Sequence, residues 1–289
     1  MAGSPLRIAG GSERESSPKI TVCVPHWQVR EMMSICLRSI RRHSAKYDLD
    51  VLVVDNGSRD GSLDWLRGLS WIRLVERPEE TSANWPANVF TAWDFAARHS
   101  DAEFLVTMHS DVFVRRDGWL DPFLREFAAR PAAGAPETAA TGAWKLNLES
   151  PLYALQKQWF GDALAGIKRV FGRETRGDAE AGRYPRDYCA MYRRDLLVRH
   201  DLSFLPEPGE ITGGFPIARR LMELGYGMRV FPVAEMARNI VHVTHGSAAL
   251  TTKELRHRAA QSKAERRAAR LFAEPWVREL RENSRLDAA

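Results

Sequence analysis

Cysteine is scarce in this chain: its 289 residues include three, Cys23, Cys36 and Cys189, an odd number with no CxxC spacing. Neither a disulfide framework nor a structural zinc site is supported, and a reducing compartment fits best. Long apolar runs are missing too. Nothing approaches the roughly 18 continuous apolar residues of a membrane span, and Met1 to Pro18 is Gly/Ser-rich with scattered charges and no apolar targeting segment. These absences predict a soluble cytoplasmic protein with a disordered leader over residues 1–17.

Charge of one sign is also in short supply, since the formal balance of +5 is concentrated between Lys253 and Arg270, where seven Lys/Arg face two acids. The remainder is close to neutral, which argues against a general nucleic-acid surface. Several catalytic signatures are lacking as well. No GxGxxG follows a strand, and neither GxxxxGK[ST] nor HExxH occurs, so dinucleotide oxidoreductase, P-loop kinase and zinc protease chemistries lose their main support. Where a nucleotidyltransferase would carry a glycine- and lysine-rich phosphate loop, this chain has His26, Trp27 and Gln28.

The chain does carry a regular alternation. Ile20 to Pro25 reads as a buried strand, and Met32, Met33, Ile35, Cys36, Leu37 and Ile40 give the apolar stripe of a helix. Asp50 to Val54 reads as the next strand and runs into the turn Asp55-Asn56-Gly57-Ser58. A helix near Gly61 to Leu69, a strand at Ile72 to Val75, a helix around Pro86 to Arg98 and a strand at Glu103 to Met108 complete the order β-α-β-α-β-α-β. Such units favour a mostly parallel sheet with ligands at the carboxyl ends of its strands. Asp55 and the group His109, Ser110 and Asp111 stand at such ends. Asp55 is equally suited to forming the turn, and Asp111 to capping the segment that begins at Val112. An acid at the sheet's edge is also within reach of a metal or phosphate.

Beyond the sheet, Ala132 to Ala140 is Ala/Pro/Gly-rich and reads as a connection, and Phe160 to Tyr184, with five glycines, as a mobile insertion or lid. A buried segment is expected near Tyr188 to Tyr192, a helix at Phe215 to Leu224 and a strand at Met228 to Pro232. Thr251 to Asn283 reads as a polar helix broken at Pro275, anchored by Leu255, Leu271, Phe272, Trp276 and Leu280 against the body or a second subunit.

Several of these segments together resemble a known family. Ile20 to Pro25, then Cys36-Leu37-Arg38-Ser39-Ile40, then Val53 to Ser62 look like the opening of the family 2 glycosyltransferases of GT-A fold. Asn84 to Asn88 with Ala92 resembles that family's Asn/Gly/Ala/Asn segment, and Met108 to Asp111 occupies the place of its DxD motif. Cys189 to Leu197, then Arg220, Leu221, Gly225, Tyr226 and Pro232, and finally His242, His245, Gly246 and Ser247 are similar to later family segments. The resemblance covers about residues 19 to 248. It implies an α/β, Rossmann-like GT-A domain over 18–250, with a nucleotide half to about 130 and an acceptor half beyond; the polar helical stretch already read from the residues makes 251–289 a basic extension outside the resemblance.

Position by position, the resemblance gives Asp55 the ring N–H of a pyrimidine base, lets Pro25 and Trp27 shape the nucleotide pocket with Ser110 beside it, and gives Asp111 a divalent cation, Mn²⁺ or Mg²⁺. His245 would add a ligand. A departing nucleoside diphosphate develops negative charge, and such a hard cation neutralises it. The chain departs from the pattern twice. His109 replaces the usual first Asp of DxD, which favours Mn²⁺ over Mg²⁺ if its imidazole is a ligand. The Glu-Asp pair that supplies the general base is broken, leaving Glu210 as first choice, with Glu207 and Asp187 in reserve. Trp85 and Trp144 are candidates for stacking on a sugar face.

The reading implied is an inverting, hexosyl- or N-acetylhexosaminyl-type transferase. It would use a UDP-sugar ahead of a dTDP-sugar and an acceptor hydroxyl or amine, small or carrier-bound, as in antibiotic or cell-envelope biosynthesis. A homodimer through the C-terminal helices fits the same pattern. The rival, motivated by the two departures, is a non-catalytic nucleotide-sugar or glycan-binding protein on the same scaffold.

Overall fold

A computed structural model of the chain describes residues 17–78, 85–129, 133–144, 184–206, 214–243 and 258–288, together with Leu152, Gln156, Trp159, Phe160, Ala163, Ile167, Gly246 and Leu250. Most of the expected leader and of the 160–184 insertion, with Asn84, Glu207, Glu210, His245 and Ser247, lies outside the described residues, as does any side-chain description of Trp85.

The alternation read from the sequence is the backbone of the fold. Strands β1 (Lys19–His26), β2 (Asp48–Asp55), β3 (Arg73–Glu76) and β4 (Phe104–Met108) are parallel in the spatial order β3-β2-β1-β4. Helices α1 (Arg30–His43), α2 (Ser62–Arg67) and α3 (Trp85–His99) connect them. β1 reads as one apolar run because both of its faces are covered. Ile20, Val22 and Val24 pack with Met33, Leu37 and Ile40 of α1, whereas Cys23 packs with Phe90, Trp93 and Ala96 of α3. Each fully buried Leu or Ile of these layers contributes about 1.5–3 kcal/mol.

The sheet then changes direction. β6 (Thr138–Gly142), β7 (Cys189–Arg193) and β8 (Gly227–Val230) extend it to the order β3-β2-β1-β4-β7-β6-β8, with β7 antiparallel to both β4 and β6 and with β6 parallel to β8. The Ala/Pro/Gly-rich connection expected to run to Ala140 therefore ends in a buried strand. β6 is Thr-Ala-Ala-Thr-Gly because space is short there. A Cβ on Gly142 would stand 3.0 Å from the Pro185 Cβ and 3.3 Å from the Cys189 carbonyl oxygen.

Helices α4 (Asp121–Ala128), α5 (Arg194–Arg199), α6 (Phe215–Glu223) and α7 (Val233–Asn239) flank this half. A two-stranded antiparallel ribbon, β5 (Val112–Val114) with β9 (Ile240–His242), lies apart from the main sheet in hydrogen bonding, and its register sets Val112 opposite His242.

The C-terminal region forms α8 (Arg258–Phe272) and α9 (Pro275–Glu282), broken where the sequence placed the break, then a 3₁₀ turn at Ser284–Asp287. Pro275 opens α9, where its missing N–H costs nothing. Val277 and Leu280 of α9 are buried in the same core as α1, so this helix uses its apolar face within the chain. No described helix is long and apolar enough to cross a membrane.

Candidate functional site

The carboxyl ends of β1, β2 and β4 converge on two polar clusters. The first joins β1 to β2, where His26 stands in register with Asp55 and the Asn56 N–H donates to the His26 carbonyl at 2.9 Å. Asp55 divides its labour. Its Oδ1 accepts from the N–H groups of Gly57 (3.1 Å) and Ser58 (2.9 Å), which makes the turn that the sequence suggested. Its Oδ2 is buried with no hydrogen-bond partner among the described residues, and the same holds for Asn56 Oδ1 and both ring nitrogens of His26. A buried polar atom left unpaired costs about 1–3 kcal/mol. Several at one strand end mark a place where something else supplies the partners.

The loop leaving β1 is held under strain. Gln28 and Val29 both have positive φ, 55° and 58°, a rare conformation for any non-glycine residue and a costly one for β-branched valine. The Ser58 hydroxyl accepts the Gln28 N–H at 2.8 Å, and Val29 then starts α1. Trp27 is half-buried in this strained turn and Pro25 is buried in β1.

Burial lowers the His26 imidazole to about 4, against the pull of Asp55 and Asp60 in the other direction. An unfolded histidine titrates near 6.5, so the unfolded chain binds more protons than the folded one between these values. Stability contributed by the neutral ring is therefore present above about pH 6.5 and falls by up to about 3 kcal/mol as pH drops towards 4. Thermal melting of His26→Gln between pH 7 and 4.5 is expected to show a shallower fall in Tm than the parent; parallel curves would refute the assignment.

The second cluster follows β4. Asp111 is buried, and its Oδ2 accepts the Gly246 N–H at 3.0 Å. Its Oδ1 stands 3.3 Å from His242 Nε2 and 3.9 Å from His109 Nδ1. The β5–β9 register carries His242 to this point from far along the chain. The rings are set by packing. His109 stacks on Trp93 at 5.6 Å between centroids, and His242 stacks on Tyr188 at 4.7 Å. The His109 N–H donates to the Tyr188 carbonyl, which ties the end of β4 to the start of β7.

Burial alone would push the Asp111 carboxyl up; His242, His109 and the Gly246 N–H together outweigh it and hold the carboxyl below its ordinary range. One ligand atom from each of His109, Asp111 and His242 lies within 4.8 Å of the others. Two imidazoles and one carboxylate are a ligand set that could hold a divalent cation. Gly246 is required where it is, since a Cβ there would meet Val243 Cγ1 at 2.9 Å and Met32 Cε at 3.0 Å.

The structure brings Asp111 and His109 together and adds His242, which the sequence suggested only as a strand residue of a terminal segment. The His-x-x-His spacing of His242 and His245 was the available signal. Ser110 is half-buried beside the cluster, and buried Asp187 lies one residue before Tyr188. Trp144 meets the Tyr184 ring edge-on at 5.3 Å and the Arg186 guanidinium at 5.9 Å.

A sheet of this order, with unsatisfied buried polar atoms and a His/Asp/His group that could hold a cation at the carboxyl ends of its strands, has its candidate site where open α/β sheets bind their ligands. Residues 21–200 match the family model for glycosyl transferase family 2, and the chain belongs to that family. Among solved structures it is similar to the mannosyltransferase PcManGT from Pyrobaculum calidifontis, in complex with GDP-Man and Mn²⁺, at 19% identity over 92% of this chain and 74% of that one, with a TM-score of 0.55. S. aureus TarS 1-349 aligns at 15% identity over 90% of this chain and 74% of that one, with a TM-score of 0.46. No curated protein compared with the chain matches it.

Proposed function

We propose that the chain is an inverting glycosyltransferase that moves a sugar from a UDP-sugar to an acceptor hydroxyl or amine, assisted by Mn²⁺. The observation that carries the reading is the pairing of the unsatisfied Asp55 Oδ2 with the His109, Asp111 and His242 group at one edge of the sheet. Asp55 has one free carboxylate oxygen, which suits the single ring N–H of uracil; guanine presents two adjacent donors. His26 supplies an N–H for a pyrimidine carbonyl, and Pro25 and Trp27 wall the base. The cation, held by Asp111, His242 and His109, with His245 as a further ligand, would neutralise the charge that grows on the leaving diphosphate. The GDP-Man and Mn²⁺ held by PcManGT support a nucleotide-sugar and a divalent cation in this fold.

The nucleotide half runs to about residue 130 and the acceptor half to about 250. In the acceptor half a carboxylate must take the proton of the attacking hydroxyl. Glu210 remains the proposed base and Asp187 the reserve, the latter supported by its burial next to the Tyr188 and His109 contact.

The test is thermal stability against UDP-, dTDP- and GDP-sugars, each with Mn²⁺ and with EDTA. Donor at about 100 Kd stabilises by roughly 2.7 kcal/mol, and the expected shift is specific to a uridine donor and lost with EDTA. A guanosine-specific shift would overturn the Asp55 argument. With the donor identified, Glu210→Gln is expected to lower kcat by about 10²-fold or more without weakening donor binding. An unchanged kcat would pass the role to Asp187, and donor binding with no turnover under any acceptor would favour the binding-protein reading.

A further inference from the structure

The four most exposed large apolar side chains among the described residues are Leu152 (76%), Trp159 (67%), Phe160 (60%) and Ile167 (55%), all within one stretch of the chain between β6 and β7. They are helical, as are Gln156 and Ala163, which are exposed with them. The spacing of 152, 156, 159, 160, 163 and 167 is the 3.6-residue spacing that marks one face of a helix. Trp159 and Phe160 meet edge to face at 5.1 Å. An apolar patch presented in this way marks an interaction surface, in contrast to scattered surface leucines, which need no explanation.

The charge of the same stretch selects the partner. Between residues 152 and 176 the sequence carries Lys157, Lys168, Arg169, Arg173 and Arg176 against Asp162 and Glu174. That excess of basic charge repels a second copy of itself and attracts an anionic surface. Exposed Trp and Phe within a stretch of sequence rich in Lys and Arg is the composition of a helix lying in the plane of a bilayer, at the depth of the headgroups. Seven charged residues between 152 and 176 make the stretch too polar to cross a bilayer.

We propose that the face made by Leu152, Trp159, Phe160 and Ile167 docks this protein on an anionic lipid membrane. The apolar side chains enter the headgroup region and the basic residues hold anionic lipid around them. This surface stands independently of the transferase reading, because neither the Asp55 pocket nor the Asp111 cluster contributes to it.

The test is co-sedimentation of the full chain with vesicles of 70% phosphatidylcholine and 30% phosphatidylglycerol, against phosphatidylcholine alone. Partition onto the anionic vesicles is expected. Trp159→Ser with Phe160→Ser should lower it by about tenfold or more, and so should Leu152→Ser with Ile167→Ser. Lys168→Glu with Arg169→Glu should weaken anionic binding and spare any neutral binding. All these side chains are exposed or basic, so unchanged thermal melts are expected and separate lost docking from lost folding. Anionic binding that survives both serine pairs would overturn the proposal and assign the attraction to the basic C-terminal helices. Absence of vesicle binding would overturn it too, and if the chain then self-associated through Trp159 and Phe160, a second copy would be the occupant.

Discussion

Asp111→Asn is expected to lower transfer by at least about 10³-fold and to abolish Mn²⁺-dependent donor stabilisation, while the protein stays folded. The asparagine keeps an oxygen for the Gly246 N–H, which donates to Asp111 Oδ2 at 3.0 Å, so the local backbone retains its contact. The substitution removes the only carboxylate in the His109, Asp111 and His242 group. Two imidazoles remain, without the negative charge that draws a divalent cation into a partly buried site. A diphosphate leaving without its cation must bear its developing charge alone, and electrostatic stabilisation of this kind is commonly the largest single contribution to catalysis. The release of nucleoside diphosphate from a matched donor, titrated with Mn²⁺, measures both effects. Activity within about tenfold of the parent would show that the cation is held elsewhere, or that the reaction proceeds without one. His242→Gln should fall between the two, since Asp111 and His109 survive it.

The parts of this site that the sequence revealed are those on a regular strand-to-turn transition. Val53-Val54-Asp55-Asn56-Gly57-Ser58 announces both the end of β2 and the turn that occupies Asp55 Oδ1, and Met108 to Asp111 announces the end of β4. Local pattern is enough for these because each side chain is positioned by its own strand. His242 is different. Its place depends on β9 pairing with β5 and on the stacked Tyr188 ring, contacts between segments distant in the chain that no periodicity reports. β6 escaped for another reason: Thr138 to Gly142 carries the small residues that close packing against Pro185 and Cys189 demands, so it lacks the β-branched run that marks an ordinary buried strand. The C-terminal extension was legible as two helices with apolar anchors. Its attachment was not, because it rests on contacts between segments distant in the chain: Val277 and Leu280 in the α1 core, and Arg38 with a partner 249 positions away.

That arginine carries the second large effect: Arg38→Met is expected to destabilise the chain by about 3–5 kcal/mol. Arg38 lies on α1 with its side chain 8% exposed. Its Nε and Nη2 each donate to one oxygen of Asp287 at 2.7 Å, a fork-to-fork pair, and Nη1 donates to the carbonyls of Leu280 and Arg281 at the end of α9. One guanidinium thus neutralises a carboxylate and satisfies the helix end whose carbonyls lack internal partners. Trp65 Nε1 also donates to Asp287, at 3.1 Å. Burial raises the Asp287 carboxyl, but the Arg38 and Trp65 bonds outweigh it and hold the group below its usual range. Methionine fills the volume of the arginine stem and leaves two carbonyls and a carboxylate facing an apolar neighbour. At about 2–4 °C per kcal/mol for a domain of this size, Tm should fall by roughly 6–20 °C. The sign of the pH dependence comes from Asp287. Its folded value is depressed, so its contribution is complete above the unfolded value near 4 and is lost as pH falls below it. The gap between parent and variant should be widest at neutral pH and narrow in acid. Arg38→Met with Asp287→Leu should recover part of the loss, because it removes the stranded charge along with its partner. A shift of less than about 2 °C for Arg38→Met would mean that α9 is held by its buried Val277 and Leu280 and its other contacts to α1, and that the Arg38 pair contributes no more than a surface one.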